Sequence, residues 1–203
     1  MKKTFVISII LLMLASQSGC SNSKNTDTID NISGNTEENK ITFESEQNDM
    51  INAMESNNFS AQLPSDYGFI STIDLTKDSD ADRIMYEIYI EKATHTMNDI
   101  LMTFHLDPKM LHKLDTSNVF QTNIHTEEKI NLGPGSKMNG VKLSRELILD
   151  TKKIDREMLK IYKAMYVKIS YSNGETRVSD YFKVEAVSST KIEEYLDKLV
   201  IDK

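Results

Sequence analysis

Three aspartates alternate with small residues at Asp78, Asp80 and Asp82. Alternating carboxylates can gather oxygen ligands around a hard cation such as calcium. A calcium loop opening at Asp78 would need glycine at its sixth position and glutamate at its twelfth. Arg83 and Tyr89 stand there instead. A solvated acidic turn is the expectation, with no metal site. The histidines are His95, His105, His112 and His125, and no pair has the i, i+4 spacing of a helical zinc site. The stretch Gly133-Pro134-Gly135 is too short to cradle phosphate and reads as a turn. The chain shows no nucleophile elbow, phosphate-binding loop or zincin motif. No catalytic residue and no cofactor are expected on these grounds. Tyr166 and Lys168 share a strand face, as do Tyr181 and Lys183. Exposed tyrosine–lysine pairs can form a binding surface, although cross-strand pairing that steadies a sheet is their commoner role.

The elements that would carry these residues are mainly strands. Ile84, Tyr86, Ile88 and Ile90 alternate with Met85, Glu87, Tyr89 and Glu91. Ile100, Met102, Phe104 and Leu106 form a second such series, and Met165, Val167, Ile169 and Tyr171 a third. Period-two patterns predict strands with one buried face. Asn173-Gly174 then precedes a continued alternation through Phe182, Val184 and Ala186, which predicts a hairpin. Weaker strands are expected over 69–75, 119–124 and 141–149. Short helical turns are expected over 107–114 and 154–162. A final helix opens at Ser189 and runs to Ile201, with Thr190 and Glu193 in capping-box positions. About seven strands and a C-terminal helix predict an antiparallel β-sandwich, plausibly immunoglobulin-like, without the cysteine and tryptophan signature of antibody domains.

The N-terminus carries a different signal. Two lysines precede an apolar run from Phe5 to Ala15, and Ser-Gln-Ser-Gly leads to Cys20, the single cysteine of the 203 residues. The run is too short to span a bilayer, which takes about 20 apolar residues, and fits a secretion signal. The arrangement resembles the signal of a bacterial lipoprotein. Ser18 and Gly19 match that pattern, and Gln17 stands where an apolar residue is usual. The resemblance implies cleavage before Cys20 and a lipid on its sulfur. The lysine- and asparagine-rich, disulfide-free chain is similar to lipoproteins of Gram-positive bacteria.

Residues 21–66 hold nine acidic residues and two lysines, whereas residues 67–203 hold 22 acidic and 20 basic residues. The acidity thus gathers near the N-terminus, and low hydrophobicity there predicts a disordered tether, with at most a short transient helix around residues 46–56. The expected organisation is a signal peptide over 1–19, a lipid-anchored acidic tether over 20–62, and one extracytoplasmic domain over 63–203. A basic patch is missing, which sets nucleic acid aside as a partner. The leading expectation is a membrane-anchored, non-enzymatic module that binds a protein or a cell-wall component. A solute-binding or sensing lipoprotein is the alternative, although two-lobed βαβ rhythm is absent. A wall-active enzyme ranks third and requires His95, His105 and the Asp78–Asp82 turn to converge.

Overall fold

The structure, a computed structural model, describes residues 41–124 and 128–201. Nine strands form two sheets. One has the order β4-β6-β2-β1-β9 and the other β5-β3-β7-β8. The first is built from β1 (Gly68–Lys77), β2 (Asp82–Glu91), β4 (Leu114–Asp115), β6 (Gly140–Leu149) and β9 (Val187–Ser188). The second contains β3 (Asn98–Leu106), β5 (Phe120–Thr122), β7 (Ala164–Asn173) and β8 (Thr176–Glu185). All ladders are antiparallel except that of β9 with β1. The expected antiparallel sandwich is therefore the fold. Its neighbour order follows the immunoglobulin-like arrangement, with β1, β2, β3, β6, β7 and β8 in places A, B, C, E, F and G. The short β4 and β5 occupy the places beside E and C in inverted chain order.

The alternating series supply the core. Ile84, Tyr86, Ile88 and Ile90 are fully buried, as are Met165, Val167 and Ile169 across the sandwich. The Tyr86 hydroxyl donates to the Tyr162 carbonyl at 3.0 Å, so its burial strands no polar group. In the β7–β8 hairpin Asn173 pairs with Thr176, which makes Gly174-Glu175 the two-residue loop. Gly174 has φ +66, so glycine alone carries the left-handed conformation there. A second glycine is required at Gly140. A Cβ there would fall 2.1 Å from the Tyr89 hydroxyl and 2.6 Å from the Ile90 carbonyl.

Two helices finish the fold. The C-terminal α3 (Thr190–Ile201) buries Ile192 and Leu196 in the core. Ser189, not Thr190, caps it: its hydroxyl accepts from the Ile192 amide at 3.4 Å. Glu193 is drawn instead to Lys163 at 2.7 Å. Between β6 and β7 lies the single turn α2 (Met158–Ile161).

The other helix corrects the tether boundary. Helix α1 (Phe43–Glu55) stands inside the segment expected to be disordered. Thr42 and Ser45 form a reciprocal capping box at its start. Glu46, Met50 and Ala53 make one buried stripe, at a spacing of four and three residues. That stripe covers the outer face of the four-stranded sheet, where Leu101, Thr103 and Lys168 are buried in addition to the inner residues of β3 and β7. Both faces of these two strands are thus enclosed. Among the described residues, no helix is long and apolar enough to cross a membrane.

Candidate functional site: a cleft beside the edge strand β8

β8 ends the four-stranded sheet, with β7 on one side. Among the described residues, its other side is bridged only at Ser60, through a single parallel bridge to Phe182. Ser60 N–H donates to the Tyr181 carbonyl at 2.9 Å, and Lys183 N–H to the Ser60 carbonyl at 3.0 Å. Residues of β8 alternate in direction, so the backbone of Ser179 points outward with that of Tyr181 and Lys183. The Ser60 hydroxyl, bonded to the Gln62 amide at 2.9 Å, then turns the chain away from the edge. Between this turn and β8 opens a cleft of about 510 Å³. Asn58, Gln62, Ser65 and Ser179 offer it neutral hydrogen-bonding groups, and Leu63 and Pro64 apolar surface, while the Phe182 side chain is buried in the core behind it. Leu63 is half exposed.

Asp180 is the only carboxylate among the described residues that line the cleft. It belongs to the inward register of β8, in line with Val178, Phe182 and Val184, where an apolar residue would suit the sandwich. Its Oδ2 accepts from the buried Tyr67 hydroxyl at 2.9 Å. Its Oδ1 has no hydrogen bond among the described residues and is not fully enclosed. Desolvation pushes the Asp180 carboxyl above the ordinary carboxylate range, and the Asp66 charge adds to this, against the Tyr67 hydrogen bond. Burial and the Asp180 charge likewise raise the Tyr67 phenol well above its ordinary value. The Tyr171 ring stands edge-on to Tyr67 at 6.4 Å, with the His95 ring 5.6 Å from Tyr171. His95 Nε2 is buried and lacks a partner among the described residues.

The residues singled out from the sequence fall elsewhere. Arg83 pairs with both Asp78 and Asp80 at 2.8 Å. Asp82 accepts from the Tyr195 hydroxyl at 2.6 Å. All three carboxylates therefore have a structural partner, Arg83 being shared by two of them, and no group of three or more ligating side chains exists among the described residues. The β1–β2 ladder runs from Lys77–Asp82 to Gly68–Glu91. Ten paired residues put the aspartate loop and the His95 end roughly 30 Å apart. His105 lies on the other sheet against Phe120, and burial lowers its proton affinity. His112 ends the short 3-10 turn Pro108–His112. The convergence needed for a wall enzyme is thus missing among the described residues. Cys20 and His125 lie outside them.

The tyrosine–lysine surface is only partly a surface. Lys168 is 4% exposed, under α1, with its Nζ 2.7 Å from Glu46 and 3.2 Å from Asp49. Tyr166 and Tyr181 are half-buried, and the Phe59 ring packs edge-on against both at 5.0 and 5.9 Å. Lys168 lies over Tyr181, and the exposed Lys183 lies over Tyr166. These four residues seat the segment that follows α1, so burial argues for a structural role.

Sequence reasoning missed Asp180 and Tyr67. The readable signal was an acid inside an inward apolar alternation, visible once the series is extended back from Phe182. The chain matches no protein-family model and no curated protein.

Proposed function

We propose that this protein is an exported, lipid-anchored binding module that takes an extended segment of a partner into the cleft beside β8. The carrying observation is the open edge: β8 is ten residues long, yet among the described residues a single bridge covers its outer side. Unpaired strand edges recruit strands, and neighbouring pockets add side-chain selectivity. The cleft volume falls in the range of about 300–1,000 Å³ in which ligand sites occur. Cys20 would hold the domain at the membrane, and the residues between it and α1 would space it from the lipid.

Affinity capture of the full chain from detergent-solubilised membranes, against a Ser179→Pro chain, tests this reading. Proline at an outward position removes an amide that a docked strand needs and leaves the β7 ladder intact. Loss of the co-purified partner is the expected result. Equal capture by both chains contradicts the use of this edge.

A further inference from the structure

We infer that the cleft selects an extended peptide that places a lysine side chain against Asp180, an inference that rests on the edge-strand reading above. The lining dictates the chemistry. Among the described residues Asp180 supplies the one carboxylate of the lining, and no lysine or arginine lines the cleft. Tyr67 occupies Oδ2, and Oδ1 accepts no hydrogen bond among the described residues. An ammonium group donates to such an oxygen, and the methylene stem of lysine can lie along Leu63 and Pro64. The neutral amides and hydroxyls of Asn58, Gln62, Ser65 and Ser179 suit a peptide backbone, and a second charge would find no partner there.

The position also argues for use. An apolar residue at 180 would complete the inward series of β8 and avoid burying a charge. A residue that costs stability is commonly retained for function. The competing role is protective, since an inward-pointing charge keeps an edge strand from pairing with other chains.

The test titrates the full chain, in detergent, with three end-capped valine–threonine pentapeptides. They differ only at the centre, as lysine, norleucine or glutamate. Binding is read from the amide signals of Ser179 and Tyr181. The lysine peptide is expected to bind about tenfold more tightly than the norleucine peptide, the effect of one partly desolvated ion pair. Asp180→Asn, which keeps an acceptor for Tyr67, should bring that ratio close to one. Tyr67→Phe, which keeps the charge, should preserve it. Equal binding of lysine and norleucine peptides by the unaltered chain overturns the lysine inference and leaves the edge reading standing. If no peptide moves the Ser179 signal, the edge reading falls and the inference with it. If the Asp180→Asn chain self-associates and binds all three more tightly, Asp180 protects the edge, and the inference is wrong.

Discussion

The Lys168 ammonium lies 2.7 Å from the Glu46 carboxylate, and their side chains are 5% and 0% exposed. Glu46 Oε1 also accepts from the Thr103 hydroxyl at 2.7 Å, and Thr103 bonds to Thr122 at 3.0 Å. A buried pair of this kind gains little over an apolar pair, because desolvation offsets the attraction. Its loss on one side is different, because a charge remains buried without a partner. Glu46→Ala should therefore destabilise the domain by about 3–5 kcal/mol, and Glu46→Leu with Lys168→Met should recover most of that loss. Thermal unfolding of the single and double variants measures the coupling. Strict additivity would mean that the pair does not hold α1.

The same pair gives a pH dependence. Burial penalises the Lys168 ammonium, but the Glu46 carboxylate outweighs this and raises its proton affinity above the ordinary 10.5. The folded state then binds the proton more tightly than the unfolded chain. The contribution is complete below about pH 10.5 and fades as the pH rises through the folded value. Unfolding midpoints between pH 9 and 12 should fall more steeply in the unaltered chain than in the Glu46→Leu, Lys168→Met double variant. Parallel curves would contradict this.

Asp180 shifts in the same direction, with the opposite consequence at neutral pH. Desolvation raises its carboxyl above the ordinary value of 3.8, so the folded state again holds the proton more tightly. For an acid this means a cost at neutral pH that disappears as the pH falls through the folded value toward the unfolded one. Asp180→Asn should thus stabilise the chain at pH 7 by about 1 kcal/mol or less, and the gain should vanish near pH 4. Denaturant titrations at both pH values check it. A loss of stability at pH 7 would show that the charge supports the fold.

Gly140 admits no side chain. Tyr89 could swing aside for a Cβ, but the Ile90 carbonyl belongs to the β2–β6 ladder and could not. Gly140→Ala should cost about 1–3 kcal/mol, as overpacking does, and Tyr89→Ala should rescue it only in part. Complete rescue would assign the clash to the tyrosine alone.

The strands were legible because one face of each alternates cleanly, and tertiary context agreed with local pattern. Ile84 through Ile90 shows this best, with every second residue buried. Helix α1 was legible only as a short transient helix, because its buried stripe of Glu46, Met50 and Ala53 opens on an acid. An acid there reads as solvated until Lys168, 122 positions away, is brought beneath it. For the same reason Lys168 read as surface. The aspartate turn was correctly read as an acidic loop, but its counter-ion Arg83 was counted only as a misfit in a calcium loop. The cleft depends on a chain reversal at Ser60 and a contact from Tyr67 to Asp180 across the sandwich, and neither leaves a local pattern.

The most direct test of the binding account uses a photo-activated crosslinking residue placed in intact cells, either at Leu63 in the cleft or at Lys142 on the outer face of the five-stranded sheet. Both side chains are exposed, and Lys142 is remote from β8 in the sheet order. The account predicts one dominant adduct from position 63, none from 142, and loss of the 63 adduct when Cys20→Ala frees the chain from the membrane. Equal adducts from both positions, or none from position 63, would contradict it.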